Sequence, residues 1–122
     1  TVIAISGGRL NLLEADKMMR EKGIKCTIFH LLWLKPFVPP EIMLESLKKT
    51  KLGVVIDSDY EITGASRSIA YELMHLTGAS VHALGLEDRV CGVAPNLENI
   101  TPSPEKITTT IKKLVGYKPP MN

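Results

Sequence analysis

The sequence predicts an α/β fold of three layers, in which helices cover both faces of a doubly wound, mainly parallel sheet. Two observations predict it. Four short apolar runs, rich in β-branched residues, alternate along the chain with four stretches whose apolar residues recur at helical spacing. A chain of 122 residues that is 44% apolar can bury a single core, so residues 1–122 are expected to form one domain.

Two strands and two helices are predicted in the first half of the chain. Residues 2–5 form a buried strand that ends at Ser6-Gly7-Gly8, and the helix that follows ends at Gly23. The second strand, residues 24–34, is ended by prolines, and Pro39 or Pro40 suits the first turn of the second helix. The inward faces carry Leu12, Ala15, Met18 and Met19 in the first helix and Met43, Leu44 and Leu47 in the second.

The second half repeats this alternation. A third strand, residues 52–56, runs into Asp57-Ser58-Asp59, and the helix after Thr63-Gly64 ends at Gly78. The fourth strand spans residues 80–86, and a long polar connection over residues 87–102 follows it. Ser103 is the expected N-cap of the last helix, and residues 117–122 are expected on the surface. The predicted inward faces are Ile69, Ala70, Leu73 and Thr77 in the third helix and Ile107, Ile111, Leu114 and Val115 in the last.

Composition excludes several classes of function. The net charge of +2 is too balanced for a nucleic-acid-binding protein, whose affinity depends on neutralising several phosphates. No apolar run approaches the roughly 20 residues that a membrane helix needs, and no leader-like segment indicates secretion. We therefore expect a cytoplasmic protein, with neither nucleic acid nor membrane among its partners, in which Cys26 and Cys91 are reduced thiols. Because the first residue is Thr1 rather than methionine, we expect the chain to be a piece of a longer subunit.

Metal and covalent chemistry are not indicated. Cys26 and His30 are four residues apart on a predicted strand, where that spacing does not bring two side chains onto one ion. Ser6, Ser58 and Ser66 lack the strand–turn–helix context of a nucleophile elbow. No paired carboxylates suggest acid–base catalysis. The sequence therefore predicts no catalytic residue and no metal site.

Four residues could form an anion site at the carboxyl ends of the strands, where ligands bind in open parallel sheets. Gly7, Gly8 and Arg9 follow the first strand, and Asp57 follows the third. The glycines lack the spaced dinucleotide-binding pattern, and no phosphate-loop lysine follows them. Asp57 and Asp59 lack the further acidic residues of a receiver-type magnesium site. A tight turn without a ligand and a turn-capping role for the aspartates are the alternative interpretations.

Apolar residues after the second strand indicate either apolar packing or an interface. Trp33 and Phe37 stand beside Pro36 and Pro39, and no basic segment surrounds them as in a base-stacking platform. The residues by themselves therefore indicate a scaffold-like domain with an interface, and not a self-contained enzyme.

Several motifs follow one another in an order that resembles a known family. The most specific is His30-Leu31-Leu32-Trp33-Leu34-Lys35-Pro36, where the family usually reads Asp-Leu-Arg-Thr-Leu-x-Pro. The others lie at residues 2–8, 43–50, 54–57, at Gly64 with the helix after it, and at 85–89 and 101–107. In this order the sequence resembles the C-terminal domain of transketolase-like thiamine-diphosphate-dependent enzymes. It is most similar to the beta subunits of pyruvate and other 2-oxoacid dehydrogenases.

Three positions depart from the family pattern. His30 and Leu32 stand where the family has an acid and an arginine, and Ser58 stands where it usually has a glutamate. Asp88-Arg89 also resembles the transketolases and the deoxyxylulose-phosphate synthases.

The resemblance implies a strand order of 2-1-3-4, with the strand of residues 24–31 at an edge where another segment can pair. It implies a non-catalytic assembly domain, and the candidate interface residues are His30, Trp33 and Phe37. In this family thiamine diphosphate and magnesium bind between two other domains, so no cofactor is expected on this one. The implied partners are the other domains and subunits of a homo- or hetero-oligomer and, in dehydrogenase complexes, the acyltransferase core. The implied compartment is the cytoplasm, or the mitochondrial matrix in a eukaryote.

A second hypothesis comes from the residues alone. In it the chain is a stand-alone nucleotide- or anion-binding module that uses Gly7, Gly8, Arg9 and Asp57.

Overall fold

A computed structural model describes residues 1–118 of the chain. Four strands and four α-helices alternate along it, with one short 3-10 helix (Pro95–Leu97) in the last connection. In chain order they are β1 (Val2–Ile5), α1 (Gly8–Arg20), β2 (Ile28–Leu31), α2 (Glu41–Thr50), β3 (Leu52–Tyr60), α3 (Ala65–Thr77), β4 (Ser80–Leu86) and α4 (Pro104–Leu114).

The strands form one sheet in the order β2-β1-β3-β4, and every neighbouring pair is parallel. Val2 of β1 lies opposite Ile28 of β2 on one side and Val54 of β3 on the other. β2 is an edge strand. The predicted fold class and strand order are therefore confirmed.

Helices cover both faces of the sheet because alternate residues of each buried strand point to opposite sides. Val2 and Ala4 of β1 pack with α1 and α4, whereas Ile3 and Ile5 pack with α2 and α3. On the first side the helices contribute Leu12, Ala15, Met19, Ile107 and Ile111, and on the second Met43, Leu47, Ile69, Ala70 and Leu73. The core thus consists of two apolar layers, one on each face of the sheet.

Two strands differ in length from the prediction. β2 covers only residues 28–31, because β1 ends at Ile5 and offers no backbone partner beyond Leu31. Before β2, the backbone N–H of Ile24 donates to Met19 O and closes the end of α1 instead of joining the sheet. β3 is longer than predicted, since it passes β1 and pairs Tyr60 with Leu86 of β4.

The helix ends mostly follow the predicted signals. Ser103 caps α4 by accepting a hydrogen bond from the backbone N–H of Lys106 at 3.2 Å. Pro40 is the N-cap of α2 rather than a residue of its first turn. Val115 was predicted on the inward face of α4, but it lies just beyond the helix and is exposed. Of the tail predicted at the surface, residues 119–122 lie outside the described part of the chain.

Candidate functional site

The loop after β2 presents an apolar surface, which we call the loop-32 patch and define as Leu32, Trp33 and Val38. Leu32 is 83% exposed, Trp33 71% and Val38 75%. Beyond Leu31 the chain has no β1 residue to pair with, so it leaves the sheet. Several large apolar side chains exposed on one short segment are typical of a site of association.

The same loop is held in place by two inward side chains. Leu34 and Phe37 pack against the core layer on the α2–α3 side of the sheet. Phe37, predicted in the interface, is therefore half-buried, whereas Trp33 points to solvent. His30 is exposed on the edge strand, opposite Ala4 of β1. The structure thus places all three predicted interface residues in one segment at one edge of the sheet.

The four residues of the candidate anion site also lie close together, but packing occupies much of their surroundings. Gly8 begins α1 directly against β3, and a Cβ on it would lie 3.1 Å from Cγ2 of Ile56. A Cβ on Gly7 would lie 3.5 Å from that of Ser58. Arg9 is exposed and forms no ion pair with any residue among 1–118. The glycine at position 8 is therefore explained by the approach of helix to strand.

Asp57 was expected in a loop beyond the third strand, and the structure places it inside β3. Its side chain is only 4% exposed, and its Oδ1 accepts a hydrogen bond from the backbone N–H of Ser58 at 2.7 Å. The strand extends past Asp57 because its pairing with β4 resumes at Tyr60. Neither of the two cavities described next is lined by Asp57 or by the residues of the β1–α1 turn.

A groove of about 960 Å³ lies beside the loop-32 patch, between the loop of residues 34–37 and the first turns of α3. Its eleven lining residues are Leu34, Lys35, Phe37, Thr63, Gly64, Ala65, Arg67, Ser68, Ile69, Tyr71 and Glu72. Sequence reasoning missed it, because its two sides come from segments that are distant along the chain. The available signal was Tyr71, an aromatic residue outside the predicted inward face of the third helix.

A second, smaller cavity of about 110 Å³ lies at the start of α4. Arg89 organises it, donating from Nε to the Glu87 carboxylate at 2.7 Å and from Nη1 to Leu97 O at 2.9 Å. This hydrogen bond and the positive charge of Arg89 lower the pKa of Glu87. Asn99 adds a bond from its amide to Glu87 O at 2.8 Å. These contacts join the beginning of the β4–α4 connection, at residues 87–89, to its later part, at residues 97–99.

The same connection exposes apolar side chains that the prediction of a polar loop did not include. Val90 is 85% exposed, and Val93, Leu97 and Ile100 are exposed as well. A second apolar region therefore lies at the carboxyl end of the sheet.

The remaining chemistry-bearing groups do not form a site. Cys26 is half-buried and Cys91 is exposed, and both are free thiols. Burial raises the pKa of Cys26. Within residues 1–118, no three histidine, cysteine, aspartate or glutamate side chains are grouped as ligands of a metal ion. None of the helices described over that range has the length and apolarity to cross a bilayer.

Comparison with known proteins agrees with the fold and the sequence resemblance. Residues 1–107 match the family described as transketolase, C-terminal domain. The chain is 28% identical over 110 residues to the pyruvate dehydrogenase E1 component subunit beta of Rickettsia conorii, covering 86% of this chain and 33% of that protein. It is 32% identical over 98 residues to 1-deoxy-D-xylulose-5-phosphate synthase 1 of Geobacter sulfurreducens, covering 77% of this chain and 15% of that protein.

A solved structure shares the fold. A split gene transketolase, described as an inactive beta4 tetramer, superposes with a TM-score of 0.76 at 22% identity, covering 97% of this chain and 38% of that one. The chain spans about a third of the length of the pyruvate dehydrogenase relative and less of the synthase.

Proposed function

Because this chain belongs to the transketolase C-terminal domain family, we propose that it is the assembly domain of a thiamine-diphosphate-dependent enzyme. In this role residues 1–122 act as one domain that contacts other domains or subunits, and the covalent chemistry takes place elsewhere. The parent enzyme is a 2-oxoacid dehydrogenase or a transketolase-like enzyme of the cytoplasm, or of the mitochondrial matrix in a eukaryote.

The observation that carries the proposal is the loop-32 patch. Leu32 and Trp33 are large apolar side chains, each more than two-thirds exposed, on a loop that Leu34 and Phe37 anchor to the core. An anchored loop loses little conformational entropy on binding, so burial of its apolar side chains favours association. Tryptophan is also among the residues that most often contribute strongly at protein interfaces.

Association of the loop-32 patch is expected to include the neighbouring edge strand. β2 presents one row of backbone N–H and C=O groups that has no strand partner among residues 1–118. An edge of this kind pairs with a further strand or is covered by another segment. His30, exposed on β2, and Trp33 in the loop would then lie within the same interface, with Phe37 supporting the loop from below.

Thiamine diphosphate and magnesium are proposed to bind to the other domains of the parent enzyme. The resemblance to the family, and not a feature of these residues, supports this placement of the cofactors on other domains. The partners are the remaining domains, further subunits and, for a dehydrogenase, the acyltransferase core. The family relatives include a protein named as a subunit and one described as a tetramer, which supports an oligomeric parent.

The proposal is tested by assembly. The polypeptide that carries the cofactor-binding domains, encoded upstream of Thr1 or by a separate gene, is produced with this chain, and the mass of the complex is measured by sedimentation velocity. Trp33→Ala is expected to weaken the complex at least about tenfold, as loss of an interface hot spot does. Leu76→Ala, which removes an exposed apolar side chain from the far end of α3, is the control.

Two outcomes would contradict the proposal. One is a complex that tolerates Trp33→Ala as well as it tolerates Leu76→Ala. The other is micromolar binding of thiamine diphosphate with Mg²⁺ to this chain alone in a calorimeter.

A further inference from the structure

We propose that the groove between residues 34–37 and α3 binds an acidic polypeptide segment that carries an apolar anchor residue. The segment belongs to another domain or subunit of the assembled enzyme. This inference rests on the proposed assembly role and deepens it, since it names the chemistry of one partner surface.

The floor of the groove is apolar. Leu34 and Phe37 line the loop side, and Ile69 lines the α3 side. All three also pack in the core layer on the α2–α3 side of the sheet, so their positions are fixed before a partner arrives. The aromatic ring of Tyr71, 63% exposed, extends this surface toward solvent. An aliphatic or aromatic side chain of the partner would gain by displacing water here.

The rim of the groove is positively charged. Lys35 stands on the loop side and Arg67 on the helix side, and neither forms an ion pair with a residue among 1–118. Glu72 is the one carboxylate among the lining residues.

The helix itself adds to this potential. α3 has no acidic residue in its first turn, and no side chain of the described residues 1–118 caps its N-terminus at Gly64. The partial positive charge of the helix start is therefore left for an outside group. Two cationic side chains at the rim of an apolar groove are complementary to carboxylates on either side of an apolar anchor.

The openness of the groove favours a polypeptide over a small molecule. Sites for small ligands usually enclose most of the ligand surface. Here the side chains of Lys35, Thr63, Arg67, Ser68, Tyr71 and Glu72 are all exposed. The hydroxyls of Thr63 and Ser68, for which no hydrogen bond is formed within residues 1–118, can bond to a peptide backbone along this open side. A segment lying across the groove would reach both cations and cover the apolar floor between them.

The experiment uses a fluorescein-labelled hexapeptide in which aspartate and glutamate flank a leucine and a phenylalanine. A matched peptide has lysine at every acidic position. Binding to the 122-residue chain is followed by anisotropy, and its location by amide shifts in the ¹⁵N NMR spectrum. We expect the acidic peptide to bind with a Kd below about 1 mM, to shift amides of residues 34–37 and 63–72, and to bind less tightly as salt is raised.

Charge reversal tests the rim directly. Arg67→Glu is expected to weaken binding of the acidic peptide by about tenfold. Lys22→Glu, which reverses an exposed lysine beyond the end of α1, is the matched control and is expected to leave the affinity unchanged. Equal binding of the lysine peptide, shifts confined to other residues, no binding at 1 mM, or an unchanged affinity in Arg67→Glu would each overturn the inference. Inorganic pyrophosphate alone reproducing the amide shifts would also overturn it, in favour of a small-anion site.

The result separates the two proposals. If the groove does not bind the peptide but Trp33→Ala still disrupts assembly, the assembly role stands and the proposal of an acidic segment in the groove is wrong. If the peptide binds and Trp33→Ala has no effect on assembly, the groove is a binding surface, but the loop-32 patch is not the interface.

Discussion

Replacing Gly64 with alanine would place a methyl group against the carbonyl oxygen of Tyr60, well inside ordinary contact, and 3.1 Å from its carbonyl carbon. Gly64 is the N-cap of α3 and has φ −84° and ψ 172°, extended backbone that any residue adopts. The penalty is therefore steric and does not come from backbone conformation. Both partners are backbone, so relief requires α3 to move away from the end of β3.

The magnitude follows from what α3 carries. Ile69, Ala70 and Leu73 are buried in the core layer, so displacement of the helix start disturbs side chains that are closely packed against their neighbours. Overpacking in a rigid core costs typically 1–3 kcal/mol, and we expect Gly64→Ala to cost about 3 kcal/mol or more. For a domain of this length, the Tm would fall by about 10 °C.

The assay is urea unfolding followed by circular dichroism, with Gly23→Ala as the matched control. Gly23 has φ 75° and open space around its Cβ position, so alanine there is strained in conformation but free of contact. Gly23→Ala is expected to lower the free energy of unfolding by about 1–2 kcal/mol. A variant at Gly64 that is as stable as the variant at Gly23, or more stable, would refute the close approach of Gly64 to the carbonyl group of Tyr60.

The other predictions concern α4, the two thiols and the Glu87 carboxylate. Ser103→Ala removes the hydroxyl that caps α4 and should lower the free energy of unfolding by about 1 kcal/mol, and an unchanged urea midpoint would be evidence against the cap. At pH 8, Ellman's reagent should modify the exposed Cys91 about tenfold faster than Cys26, because burial raises the pKa of the Cys26 thiol. The two rates are measured separately in variants that carry serine at the other cysteine, and equal rates would contradict this prediction. Arg89 lowers the pKa of the Glu87 carboxyl. The contribution of this ion pair to the order of the loop is therefore fully present above the ordinary carboxyl pKa of about 4.3. It is lost as the pH falls through the lowered pKa of Glu87. An NMR titration should show a Glu87 midpoint that rises in Arg89→Gln, and a midpoint unaffected by that change would exclude the pairing.

The sequence predicted most of the fold because its signals are local. Gly78 after α3 and Ser103 before α4 end and begin helices by backbone and capping chemistry that acts over a few residues. The strand order came instead from the family resemblance, because a hydrophobic run does not indicate which strands lie beside it in the sheet. The structure confirms that order.

What the sequence did not predict depends on long-range geometry. Asp57 resembled a loop residue, because nothing local indicates that β4 pairs again with β3 at Tyr60. The shortness of β2 follows from the length of β1, a separate segment. Lys35 and Arg67 meet at one groove only when α3 packs beside the loop after β2. Trp33, by contrast, was identified from its own sequence context, although its exposure required the structure.

Hydrogen–deuterium exchange of this domain, compared between the free chain and the assembled parent enzyme, tests the assembly role most directly. We expect assembly to slow the exchange of amides in residues 28–38, and thiamine diphosphate with Mg²⁺ to change no exchange within the free chain. Slowed exchange at Gly7, Gly8 and Arg9 on addition of the cofactor to the free chain, with residues 28–38 unaffected by assembly, would contradict it.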